Sequence, residues 1–112
     1  MSEPTSTADL VVQAYVAFTD RDRAAMEALL APDFTFTSPY DDHIDRAAYF
    51  ERCWPNGELF KSFSIRHVFG QGDEAFVLYE VETKAGDTFR NTEFFTRRDG
   101  RLASVEVFFG QK

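Results

Sequence analysis

The hydrophobic period of this chain changes once, from a helical step to a strand step, and that change limits the folds open to it. In the first half, Leu10, Val11, Ala14, Tyr15 and Phe18 recur at three- and four-residue steps, one stripe along a helix. Ser6 or Thr7 caps its start and Asp9 suits its first turn. Asp22 caps a second, short helix carrying Met26, Leu29 and Leu30, and Ala31-Pro32-Asp33 stops it. Phe34 to Ser38 alternates as a strand, Pro39 ends it, and Tyr40-Asp41-Asp42-His43 reads as a loop. Asp45 caps a third helix with Ala48, Tyr49, Arg52 and Cys53, closed by Pro55-Asn56-Gly57.

From residue 62 the period is two. Phe63, Ile65, His67 and Phe69 share one face of a strand; Val77, Tyr79 and Val81 share a face of the next. Phe89, Asn91, Glu93 and Phe95 follow, then Ala103, Val105, Val107 and Phe109. Gly70 to Asp73, Ala85-Gly86-Asp87 and Asp99-Gly100 are the turns between them. Three helices with one early strand, then a four-stranded antiparallel meander, predict an α+β fold with helices on one face of a curved sheet.

At 112 residues this is one domain, 1–112, with its core in 8–110. The 12 Lys and Arg against 19 Asp and Glu, with no basic run beyond Arg97-Arg98, argue against a nucleic-acid partner and against a polybasic membrane anchor. No apolar run approaches the ~20 residues of a membrane span, and Met1 to Pro4 lacks the features of a signal peptide. A cytoplasmic protein is the expectation. The single cysteine, Cys53, leaves no internal disulfide, and no ligand spacing points to a metal or a cofactor. The chain carries 13 Phe, 4 Tyr and 1 Trp, so its rings either fill a core or wall a cavity.

The order of elements, with Asp99-Gly100 before a last strand ending Phe109-Gly110, resembles the nuclear transport factor 2-like superfamily over residues 8–110. Within it the chain looks most like SnoaL-like and ketosteroid-isomerase-like members. That resemblance implies a cone-shaped curved antiparallel sheet with three N-terminal helices packed on its concave face, a small-molecule cavity, and a homodimer packed through the sheet. Val11 to Val16 is similar to the first helix of ketosteroid isomerase, which puts Tyr15 at the place of its catalytic tyrosine. Counting back from Asp99-Gly100 puts Glu93 where that enzyme has a hydrogen-bonding carboxylic acid, and Phe109 on the pocket wall. The isomerase's aspartate base stands before a proline; here Ser38 precedes Pro39, and a serine hydroxyl is no such base.

Tyr15 and Glu93 are the sharpest pair. Aimed at one point, a phenol and a protonated carboxylic acid stabilise a developing enolate oxygen. Glu93 shares a face with Phe89 and Phe95, which suits a raised pKa; the competing reading pairs it with Arg90 or Arg66. In Asp41-Asp42-His43 a carboxylate, Asp41 or Asp42, or the His43 ring is a candidate displaced base; the competing reading is a solvated acidic loop with Asp42 or His43 starting the third helix. His67 on an apolar strand face is a candidate pocket base or a satisfied core histidine. Asn91 offers a neutral hydrogen bond. Trp54 is a cavity lid or an anchor of the third helix. Phe63, Val77, Tyr79, Val81, Phe89 and Phe109 are the expected wall. Leu78, Phe94 and Phe108 fall on the opposite face, where exposed rings mark an interface. The function expected is a small-molecule pocket, with cofactor-free acid–base chemistry or ligand binding without catalysis.

Overall fold

The computed structural model describes residues 6–110; of residues 1–6, whose small polar side chains suggest a frayed end, only Ser6 lies within them. The order is α1 (Thr7–Thr19), α2 (Arg23–Leu29), β1 (Leu30–Ser38), β2 (Asp41–Asp45), α3 (Arg46–Arg52), a 3-10 helix (Trp54–Leu59), β3 (Phe60–Gln71), β4 (Glu74–Thr83), β5 (Thr88–Arg98) and β6 (Arg101–Phe109). Each α-helix has the side-chain cap its sequence offers. Ser6, Asp22 and Asp45 accept from the backbone N–H of Asp9, Ala25 and Ala48.

The six strands form one sheet in the order β2-β1-β6-β5-β4-β3. All neighbours are antiparallel except β1 and β6, which run parallel. The fold is α+β with a mostly antiparallel sheet, as the change of period predicts. The loop expected at 40–43 is instead a two-residue turn, Pro39-Tyr40, leading into the short strand β2. The strand expected from Phe34 begins at Leu30, with a register shift between Leu30 and Thr35 where Pro32 has no N–H to donate. Asp99 and Gly100, with φ of 55° and 78°, make the paired left-handed turn that a tight hairpin requires.

The helices cover one face of the sheet. At one end of the sheet, α1 begins against the β3–β4 turn, where the Thr7 hydroxyl donates to the Gly72 carbonyl at 2.6 Å. Here Leu10, Val11, Ala75 and Val77 pack together with at most 5% exposure. The other end holds the C-termini of β1, β4 and β6 and the N-termini of β3 and β5, and the layers part around a cavity.

Two expectations fail on the sheet. A register shift between Ile65 and His67 inserts a bulge in β3. Phe63, Ile65 and Val68 are the inward residues, while His67 and Phe69 turn outward and stack at 6.0 Å between ring centroids. His67 is therefore no core histidine. Val77 and Val81 are on the expected face but are fully packed, 1% and 0% exposed, and do not line the cavity.

Candidate functional site

The cavity measures about 510 Å³, within the range of small-molecule sites. Its walls are largely aromatic. Tyr15 and Phe63 lie 4.9 Å apart, Phe63 and Tyr79 stack at 4.6 Å, and Phe95 meets Tyr15 edge-on at 5.9 Å. This ring stack fixes two phenols from different layers, one on α1 and one on β4, over a single carboxyl on β5.

That carboxyl is Glu93. Tyr15 donates a hydrogen bond to its Oε1, and Tyr79 donates to its Oε2 at 2.7 Å. Asn91 Nδ2 donates to the Tyr79 hydroxyl at 3.0 Å, and the Gly110 N–H holds Asn91 Oδ1 at 3.1 Å. Gly110 is needed at that point, since a Cβ there would fall 1.8 Å from the Arg90 carbonyl oxygen. Among the described residues Glu93 has no ion pair, which is against the competing reading. Arg66 pairs with Glu80 on the outer face instead.

Burial pushes the Glu93 carboxyl above its ordinary range, and the two phenol hydrogen bonds pull it partway back. Burial likewise raises Tyr15, Tyr49 and Tyr79, each reinforced by the nearby Glu93 charge. Counting protons shows what this cluster offers. There are two oxygen–oxygen contacts to Glu93. With Glu93 ionised, the two phenol protons occupy both. With Glu93 protonated, three O–H groups share two contacts, and one proton is left to donate into the cavity. A neutral Glu93 thus converts a closed network into a hydrogen-bond donor.

The mouth is differently equipped. Tyr40, Leu59 and Phe109 stand on its rim, 79%, 61% and 47% exposed, with Tyr40 and Phe109 rings 5.3 Å apart. In the β1–β2 hairpin Ser38 pairs with Asp41, so both face the cavity. Ser38 Oγ donates to Asp41 Oδ2 at 3.2 Å, and Arg52 reaches Asp41 Oδ1 at 2.6 Å. The Asp41 side chain is only 10% exposed.

Of the residues expected from sequence, the cavity brings together Tyr15, Glu93, Asn91, Phe63, Tyr79, Phe89 and Phe109. Asp42, His43, His67 and Trp54, like Val77 and Val81, do not line it. Asp42 alternates outward from Asp41, 92% exposed, and pairs with His43 at 2.6 Å. His67 is carried outside by the β3 bulge. Trp54 is packed behind the wall, 7% exposed, with Phe18 and Phe50 at 5.5 and 5.7 Å and the Arg21 guanidinium 4.3 Å from its ring. It is an anchor of the 3-10 helix, not a lid. In the sequence Asp41 is only one member of the Asp41-Asp42-His43 candidate set, and Tyr49 and the polar role of Tyr79 go unmarked. The last was within reach: Tyr79 pairs with Asn91, and Val77 with Glu93, so Tyr79 lies diagonal to Glu93 on one face. Among the described residues no group of three His, Cys, Asp or Glu is placed to hold a metal, and no helix is long and apolar enough to cross a membrane.

A SnoaL-like domain family model matches residues 11–105. The chain belongs to this SnoaL-like family. Solved structures with the same nuclear transport factor 2-like fold agree with that placement. A protein of unknown function from Cytophaga hutchinsonii is 24% identical, with a TM-score of 0.76 over 97% of this chain and 94% of its own. A Kribbella flavida protein provisionally named a ketosteroid isomerase is 19% identical, with a TM-score of 0.79 over 95% and 78%. A Sinorhizobium meliloti protein provisionally named a polyketide cyclase is 24% identical, with a TM-score of 0.73 over 88% and 93%. At these identities the likeness is one of fold. No curated protein matches the sequence.

Proposed function

We propose that this SnoaL-like domain binds a compact, mostly apolar, ketone-like molecule without a cofactor, and that its polar end serves acid–base chemistry of the isomerase, cyclase, dehydratase or hydrolase kind. The observation that carries this reading is Glu93. A carboxyl with a raised pKa, held by two phenols at the end of an aromatic cavity, offers a surplus proton to a ligand oxygen. Planar phenols mimic a bound enolate. In a thermal-shift titration they should raise the melting temperature saturably, and Glu93→Gln should weaken the effect. An unchanged melting temperature across the panel would remove the reading.

A second reading, a ligand-binding module without catalysis, is favoured by Ser38 standing where the ketosteroid isomerase resemblance expects a base. An assay that finds saturable binding but no turnover of any bound ketone would select it.

The partner proposed besides the ligand is a second copy of the chain. On the outer face Phe76 and Phe94 rings lie 4.7 Å apart, and Phe76, Phe108 and Phe69 are 49%, 48% and 70% exposed. A run of rings this open to water supports a homodimer through the sheet. Sedimentation showing a monomer at every concentration would contradict it.

A further inference from the structure

The oxygen site around Glu93 uses one side of the cavity and leaves polar groups on the other side without a task. Among the described residues, the charged side chains lining the cavity are Asp41 and Glu93. Both Glu93 oxygens already accept from phenols. Cys53 also lines the cavity, but burial pushes its thiol up to about 11, so it is not a thiolate near neutral pH. Asp41 is the group left to receive a proton. Its carboxyl is 10% exposed and held at two points, by Arg52 at 2.6 Å and by Ser38 Oγ at 3.2 Å. Arg52 offsets its charge, and each oxygen keeps a lone pair beyond these contacts.

The strand register sets where Asp41 works. Phe36 pairs with Val105, and Glu93 with Val107, so Ser38 stands level with Val107 and Glu93. Two strand spacings separate the Ser38 and Glu93 backbones by about 10 Å. Asp41, bonded to Ser38, thus faces the Glu93 cluster across the concave sheet.

Tyr49 adds a donor between them. Three buried tyrosines line the cavity, Tyr15, Tyr49 and Tyr79. Tyr15 and Tyr79 spend their protons on Glu93, whereas the Tyr49 hydroxyl has no hydrogen-bond partner among the described residues. It is not sealed off either, because the unpartnered side-chain atom that is fully occluded among those residues is Arg46 Nε. The Tyr49 hydroxyl therefore opens onto the cavity. It lies close enough to Glu93 to be raised by its charge, and three residues before Arg52 on α3, the residue that holds Asp41.

We propose that Asp41 is the proton acceptor of this cavity, that Tyr49 is a second donor to the ligand oxygen, and that the ligand class is an enolisable ketone. This rests on the small-molecule reading above. The ketone oxygen takes the surplus proton of the Glu93 cluster and the Tyr49 hydroxyl as hydrogen bonds. The Asp41 carboxylate removes a proton from the carbon next to the carbonyl. The C–H electron pair becomes the C=C bond of the enolate, and the carbonyl π pair moves onto oxygen. The reverse step returns a proton from Asp41 to carbon, and at the mouth that proton exchanges with water.

Exchange in heavy water reads this step without knowledge of the natural substrate. With 2-tetralone as probe, proton NMR should show the protein accelerating loss of the α-hydrogen signal. Binding of 2-naphthol, a planar mimic of its enolate, reports the pocket separately. Asp41→Asn should slow exchange by about 100-fold or more while leaving 2-naphthol affinity within about threefold. Asp41→Ser gives the same result should the asparagine variant fold poorly. Tyr49→Phe keeps the ring and should weaken 2-naphthol by roughly 3- to 10-fold. Exchange at the wild-type rate in either Asp41 variant overturns the proton-acceptor role. Unchanged naphthol affinity in Tyr49→Phe overturns the second donor. Naphthol binding with no exchange in the wild type overturns the Asp41 proposal and leaves the pocket reading standing. No naphthol binding at all overturns the pocket reading, and this inference with it.

Discussion

Leu10 and Phe18 sit eight residues apart on the same stripe of α1, yet they meet different kinds of space. Leu10, 5% exposed, belongs to the packed apolar cluster with Val11, Ala75 and Val77 and does not line the cavity. Phe18, half-buried, packs on Phe60 and Trp54 at the open end and lines the void. The same helix on the same sheet therefore builds a filled core at one end and a ring-walled cavity at the other. The difference lies in side-chain size and rigidity. Aliphatic residues interdigitate, whereas rings stacked edge to face hold a wall apart. Stability should accordingly reside in the filled end and ligand recognition in the open one.

The largest effect should come from Leu10→Ala, which leaves a void among packed neighbours. Equilibrium urea unfolding should show a loss of about 2–5 kcal/mol, with phenol binding to the folded fraction unchanged. Next is Tyr79→Phe, at the border between the two regions. It removes a donor from Glu93 Oε2 and an acceptor from Asn91 Nδ2, so a loss of about 1–3 kcal/mol is expected. A near-zero value would mean that the cluster is held by packing alone.

The pH dependence follows from Glu93. Its folded pKa is raised above the unfolded value near 4.5, so the native state binds the proton more tightly than the unfolded chain. Its contribution is fully present below pH 4.5 and is lost as pH rises toward the folded value. Within that window each pH unit costs about 1.4 kcal/mol. Glu93→Gln removes the dependence, so the variant should gain on the wild type as pH rises through the window. Parallel stability curves would contradict a raised Glu93. The smallest effect on stability should be Phe109→Ala on the rim. With the ring 47% exposed, the loss should stay within about 1 kcal/mol, while the dissociation rate of a bound phenol rises. A loss as large as that of Leu10→Ala would erase the distinction between the two ends.

Most of this organisation was readable in the residues. The stripe on α1, the caps Asp22 and Asp45, and the alternation of β4 and β5 fixed the layers and put Glu93 and Asn91 inside. The misreadings came from single-residue irregularities. A bulge at Arg66-His67 reverses one strand end, and periodicity has no term for an extra residue. Reading residues 40–43 as a loop hides the hairpin pairing of Ser38 with Asp41, so the sequence alone does not separate Asp41 from Asp42 as the carboxylate on the cavity side. Trp54 and Tyr49 come from the α3 region, and neither helix spacing nor composition says whether a ring there meets a void or another ring.

The reading proposed above turns on the burial that raises the Glu93 carboxyl at the end of the cavity, and on whether it thereby holds a proton for a ligand. Infrared difference spectroscopy of the wild type against Glu93→Gln tests it most directly. The expected result is the C=O stretch of a protonated carboxyl at neutral pH that is absent from the variant and shifts when a planar phenol binds. A difference spectrum holding only carboxylate bands would mean that both phenol protons are committed to Glu93, with none left for a ligand.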